Sequence, residues 1–99
     1  MSETGASGSG VALTAKPAIG RGFRLQWEAA QDAHVLLYPE GMVKLNGSAA
    51  AILTRCDGAR TVAEIVSDLQ QSFGARNLAG DVTAFIGFAV ERGWLEMRT

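Results

Sequence analysis

Cysteine and histidine are nearly missing: one of each, Cys56 and His34, in 99 residues. A lone cysteine excludes an internal disulfide. With one His and one Cys there is no CxxC, HxxxH or HExxH spacing, so no metal site is expected. Charge of one sign is missing too. The formal net charge is −1, and acidic and basic residues are scattered singly. No block of Lys or Arg awaits a phosphate backbone, and there is no acidic tail. The apolar run Val35 to Tyr38 is far too short to span a bilayer. The N-terminus lacks the charged start and apolar stretch of a secretory signal. These absences favour the cytoplasm and argue against nucleic acid or membrane as partners.

Catalytic motifs are also wanting. No Ser sits in a nucleophile-elbow sequence. No GxGxxG or GxxxxGK[ST] sequence opens a helix, and the GASGSG stretch has no strand before it. Glu64, Asp68, Asp81 and Glu91 are spaced along helix faces that read as solvated. His34 falls in a strand beside Leu36 and Tyr38, where a structural role is expected. Cys56 occupies an apolar position and reads as a small core residue. The expectation is a chain that is not an enzyme and holds no cofactor.

What is present divides into a tail and one domain. Met1 to Gly10 is small and polar, with nothing to bury. Residues 1–20 are expected to form a flexible N-terminal tail, and residues 21–99 a single domain. Phe23, Leu25 and Trp27 alternate with Arg24, Gln26 and Glu28, which predicts a half-buried strand. Ala33 to Tyr38 is a second strand, apolar on both faces. Pro39-Glu40-Gly41 turns the chain. Met42 to Leu45 is a short third strand. Short links make the three antiparallel.

At Asn46 the period changes to 3.6. Asn46 or Ser48 caps a helix in which Ala49, Ile52, Leu53 and Cys56 share a face. Asp57-Gly58 ends it. Thr61 to Glu64 is a capping-box sequence, followed by Val62, Ile65, Val66, Leu69 and Phe73 at helical spacing. Gly74 ends that second helix. A third starts near Leu78 to Asp81 and runs to Arg92, with Gly93 at C′, and Trp94-Leu95 folds back onto the body. Val82, Phe85, Ile86, Ala89 and Val90 make its core stripe. Phe88 lies beside the stripe, and Ala84 and Gly87 leave the opposite side small. The apolar surface is wider than one packing stripe needs, so a partner could cover the excess.

The fold class is therefore α+β and winged-helix-like: a three-stranded antiparallel sheet followed by three helices. Two function classes follow. A short strand after a tight turn lies at a sheet edge, whose unpaired N–H and C=O groups can add a peptide as another strand. A DNA-binding winged helix has similar elements, but its recognition helix should carry Arg, Lys, Asn or Gln to base edges. Here the third helix holds Asp81, Glu91 and Arg92 around an apolar middle.

Tyr38 to Asn46 (YPEGMVKLN) resembles a signature stretch of the peptide chaperones of pyrroloquinoline quinone biosynthesis, the PqqD family. So do Ser48 to Leu53, Cys56-Asp57-Gly58 and Thr61 to Ile65. The likeness spans Arg21 to about Met97. Parts of it, ILxxCDG and TxxEI, also occur in recognition domains of other peptide-modifying enzymes, which is the alternative reading. The resemblance implies a peptide-recognition domain over residues 21–99. It implies binding of a ribosomally made precursor peptide and presentation to a radical S-adenosylmethionine enzyme that cross-links its Glu and Tyr. The iron–sulfur clusters and S-adenosylmethionine would belong to that enzyme. By the family's mode the peptide lies along the third strand and against the third helix. The expected contacts are Met42, Val43, Lys44, Leu45, Phe85, Phe88 and Arg92. Lys44 and Arg92 are candidates for acidic side chains on the peptide. The expected state is a monomer in dilute solution. At high concentration, extension of Asn46-Gly47 would give a swapped dimer.

Overall fold

The computed structural model describes residues 10–98. In chain order the elements are β1 (Lys16–Ile19), β2 (Arg24–Glu28), β3 (Ala33–Tyr38), β4 (Gly41–Lys44), α1 (Gly47–Leu53), α2 (Val62–Phe73), α3 (Ala79–Glu91) and β5 (Leu95–Arg98). Among the described residues they form two antiparallel sheets, one of order β2-β3-β4 and one of β1 with β5. The three strands and three helices expected from the periodicities are all present.

In the larger sheet Leu25 pairs with Leu36 and Leu36 with Val43. Cross-strand partners share a face, so these three side chains form one row. Leu36 and Leu45 are buried in a common cluster with Leu53, Ile65, Ile86 and Leu95. The sheet thus lays one face on the helices. Val35, on the opposite face, is also fully buried.

Asn46 caps α1 by accepting the Ala49 N–H at 2.8 Å. The helix closes at Leu53, earlier than the Asp57-Gly58 stop expected from sequence. Cys56 shares the core with Ala49, Ile52 and Leu53 but lies beyond the helix. The reason is tertiary. Gly58 donates to Pro17 O at 2.8 Å, and Asp57 bridges to Ala18, so the chain leaves the helix to run beside β1. Arg55 finishes α1 instead, donating Nη1 to Ala51 O at 2.8 Å and Nε to Asp68.

The capping box of α2 forms as the sequence predicts. Thr61 Oγ1 accepts the Glu64 N–H and Glu64 Oε1 accepts the Thr61 N–H. In α3 the buried residues are Val82, Thr83, Ile86 and Ala89. Phe85 and Val90 are only half-buried, so the expected stripe is rotated toward Thr83. Thr83 tolerates burial because its hydroxyl donates to Ala79 O at 2.8 Å. Gly93 has a positive φ, as a C′ residue should.

The folded part begins upstream of residue 21, the boundary expected from the sequence. Lys16–Ile19 pair with Leu95–Arg98, and Pro17 is among the fully buried side chains. The start of the expected tail, residues 1–9, lies outside the described residues. Gly20 explains the close approach of the two ends. Its N–H donates to Trp94 O at 2.7 Å, and a Cβ built on it would lie 2.1 Å from Gly93 O.

That contact is with backbone and cannot relax cheaply. Gly20→Ala is expected to lower the unfolding free energy by about 2 kcal/mol or more in urea denaturation. Gly47→Ala, where a Cβ meets nothing within 4 Å, should change it by less than about 1 kcal/mol.

Candidate functional site

The third strand of the larger sheet, β4, lies at an edge. Which of its backbone groups are free follows from the ladder. Leu45 donates its N–H to His34 O at 3.0 Å. Bonded and non-bonded pairs alternate in an antiparallel ladder. Leu36–Val43 and Tyr38–Gly41 are therefore the bonded pairs, and Val35–Lys44 and Leu37–Met42 the non-bonded ones. The N–H and C=O groups of Met42 and Lys44 point away from β3.

The side chains divide the same way. Met42 and Lys44 are exposed, whereas Val43 is half-buried and Leu45 is 6% exposed. Val43 and Leu45 both pack in or against the core. Of the four β4-region residues expected to bind, Met42 and Lys44 present an edge and Val43 and Leu45 support it from inside.

Helix α3 starts close to where β4 ends. Its first turn, at Asp81 and Val82, shares a groove with Gly47 and Ser48, just beyond the end of β4. Its far end lies on the β2 side of the sheet. A Cβ on Gly93 would meet the Phe23 ring at 3.8 Å, and that ring lies 5.7 Å from Tyr38, the partner of Gly41.

The expected α3 residues come together as one aromatic patch. The Phe85 and Phe88 rings are 6.2 Å apart, and the Arg92 guanidinium lies 4.3 Å over Phe88. Phe88 is 42% exposed, a large apolar surface left without cover. The sequence reading missed one member. Trp94 stands edge-on to Phe88 at 5.6 Å and tilted to Phe85 at 6.5 Å. Its spacing of six from Phe88 carries no helical signal, because Gly93 turns the chain before it. Beside the patch the small residues Gly80, Ala84 and Gly87 open a second groove of about 820 Å³, lined also by Phe88, Val11 and Met97.

The remaining chemistry-bearing side chains are dispersed. Among the described residues no three of His, Cys, Asp and Glu gather where they could hold a metal ion. His34 stands edge-on to Trp27, at 5.2 Å, in the row of their strand pairing. The Cys56 thiol donates to Ile52 O at 3.3 Å. Burial, with the Asp57 carboxylate as a lesser cause, pushes its pKa up to about 12. A protonated, enclosed thiol is a poor nucleophile. Asp57 itself is held below the usual carboxylate range, chiefly by the N–H groups of Ala59 and Arg60 that donate to it. No helix among the described residues is long and apolar enough to cross a membrane.

Comparison with known proteins places this arrangement in context. The family model of coenzyme PQQ synthesis protein D (PqqD) matches residues 33–95, a span holding both β4 and α3. A PqqA binding protein of Stutzerimonas stutzeri (strain A1501) is 57% identical over 91 residues, covering 91% of this chain and 99% of that protein. Another, from Azotobacter vinelandii (strain DJ), is 55% identical over 82 residues, 82% of this chain and 89% of that protein. The solution NMR structure of the PqqD truncation of Methylobacterium extorquens PqqCD aligns with a TM-score of 0.72 at 28% identity. That alignment covers 92% of this chain and 99% of that one, which is described as a functional, stand-alone RiPP recognition element.

Two outcomes test the site's geometry without any ligand. Lys44→Pro removes an outward N–H and should change stability by no more than about 1 kcal/mol, as proline at a free edge does. Val43→Pro removes a ladder N–H and should cost about 2 kcal/mol or more. Equal melting curves for the two variants would show that the register of β4 is not as described. The thiol gives the second test. Its folded pKa is raised, so its contribution to stability is complete below pH 9 and is lost as pH rises from 9 to about 12. Urea unfolding at stepped pH should show a steeper alkaline loss in the native sequence than in Cys56→Ala.

Proposed function

The chain belongs to the coenzyme PQQ synthesis protein D (PqqD) family, and we propose that it binds the precursor peptide PqqA as an added strand on β4. The bound peptide is then presented to a radical S-adenosylmethionine enzyme, which cross-links a Glu and a Tyr within it. The observation that carries this reading is the free backbone of Met42 and Lys44 in a domain whose third helix bears an uncovered aromatic patch. The names of the relatives, PqqA binding proteins, support the choice of peptide.

The chemistry follows from the arrangement. An added strand takes hydrogen bonds from Met42 and Lys44 regardless of its side chains. Alternate peptide side chains then fall on the helix side of the sheet, toward the patch of Phe85, Phe88 and Trp94. Arg92 lies on that patch and can meet a peptide carboxylate, while Lys44 offers a second cation on the outer face. The chain makes and breaks no bonds. It raises the local concentration of peptide beside the enzyme and restricts its orientation. The iron–sulfur clusters and S-adenosylmethionine belong to that enzyme, and the site of action is the cytoplasm. A DNA-binding role is disfavoured because α3, Ala79–Glu91, contains Asp81 and Glu91 and no Lys or Arg.

A titration of ¹⁵N-labelled protein with synthetic PqqA should move the amides of Met42 and Lys44 and those from Phe85 to Trp94. Lys44→Pro should weaken binding about tenfold or more while remaining folded, and Phe88→Ala should do likewise through lost stacking. Unchanged affinity in folded Lys44→Pro would sink the edge-strand reading. By mass spectrometry the chain alone should leave PqqA unmodified. Tight duplex DNA binding with a steep salt slope would replace the reading altogether.

A further inference from the structure

A groove of about 570 Å³ opens where α1, α2 and α3 meet. Its volume is that of an ordinary ligand site. Gly47 and Ser48 form one lip, Leu69 and Phe73 come from α2, Asp81 from α3, and Leu78 from the residue just before it. The lining is mostly apolar, and Phe73 is 62% exposed on its wall. Asp81 is the one charged residue that lines it, and no partner to its carboxylate occurs among the described residues.

The position of this groove gives it an occupant. Gly47 follows Lys44 by three residues, so the groove begins where β4 ends. Asp81 precedes Phe85 by one turn on α3, so the same helix walls both places. A peptide strand paired with Met42 and Lys44 and continued past the Lys44 end advances about 3.3 Å per residue. It reaches the groove after about two to four residues.

We infer that this groove is a second pocket for the same peptide, taking one apolar side chain from the segment that leaves β4 at Lys44, with a basic residue of that segment placed against Asp81. The inference rests on the reading of β4 as a peptide edge. It adds what the edge lacks. Backbone pairing accepts any sequence, whereas an apolar pocket beside a single carboxylate selects an apolar residue near a Lys or Arg at a fixed distance from the paired stretch. Choice of peptide is thereby made in part outside the strand.

The test is a titration with full-length synthetic PqqA on protein labelled at backbone ¹⁵N and at leucine methyls. The Leu69 and Leu78 methyls should shift together with the Met42 and Lys44 amides. Ala51→Trp, which fills the groove from α1, should weaken binding about tenfold, the value of burying one such side chain. Its β4 amides should still move. The exposed Asp81→Asn, which removes only the charge, should reduce affinity and flatten its dependence on salt. Amides that move while the methyls stay still, with both variants binding as the native sequence does, would overturn the groove and leave the edge reading standing. Amides that do not move would overturn both. If Ala51→Trp does not fold, the methyl shifts and Asp81→Asn decide the matter.

Discussion

At the start of α2 three successive amides point out of the helix with no carbonyl of their own helix to receive them. Two are met from far away in sequence. Val62 donates to Ala15 O at 2.9 Å and Ala63 to Leu13 O at 3.0 Å. The third, from Glu64, goes to the Thr61 hydroxyl. Leaving such groups buried and unpaired would cost about 1–3 kcal/mol each. The segment just before β1 is therefore part of α2's cap. Its position brings β1 against Asp57 and Gly58, and β1 in turn pairs with β5. Because β5 follows α3 directly, the contact of Gly20 with Gly93 and Trp94 sets where α3 ends. The aromatic patch at that end is held by pairings that begin at residue 13.

Against this thorough pairing the free groups of β4 stand out. The edges of β1 are both occupied, by β5 on one side and the Asp57–Gly58 stretch on the other. The second outer strand of the larger sheet, β2, is also an edge, and it exposes Arg24 on its outward face, with Gln26 tied to Glu28. The span matched by the family model starts at Ala33, so it includes β4 and α3 and omits β2. Of the two edges, β4 is the one whose end opens onto the groove between α1, α2 and α3.

Local pattern carried most of the fold. The strand at Phe23 to Glu28, the turn at Pro39-Glu40, the capping box at Thr61 and the glycines at 74 and 93 each have a short-range cause, and each is found, although the expected alternation of burial fails at Trp27, which is 52% exposed at the sheet edge. What escaped has a long-range cause. Nothing in Lys16-Pro17-Ala18-Ile19 alternates, and a proline reads as a break. It is a strand because Leu95–Arg98 lies beside it. Cys56 has helical spacing, yet its segment is drawn out of α1 by the same strand. The candidate site was legible to the same degree. The edge and the wide apolar face of α3 follow from strand length and residue count. The split between Met42 and Lys44 outside and Val43 and Leu45 inside depends on the pairing register, which sequence does not state. Trp94 joins the patch through a turn and was invisible to any period.

The edge by itself cannot bind a peptide usefully. Met42 and Lys44 offer two N–H and two C=O groups. At about 1 kcal/mol net for each hydrogen bond, the four together give about 4 kcal/mol, a millimolar affinity. Ordering a flexible peptide costs about 2–5 kcal/mol, which consumes that gain. Apolar burial must supply the rest, and one large side chain contributes about 1.5–3 kcal/mol. Only about three such contacts near the upper value bring the sum to a micromolar range, and the Phe88–Trp94 patch and the groove beside Phe73 are among the exposed apolar surfaces that could make them. The division of labour follows. On the proposed reading the backbone edge would fix direction and register at nearly zero net gain, and the apolar sites would decide which peptide stays. A carrier built this way can discriminate strongly through a few side chains and still release its cargo, because no single contact accounts for the affinity.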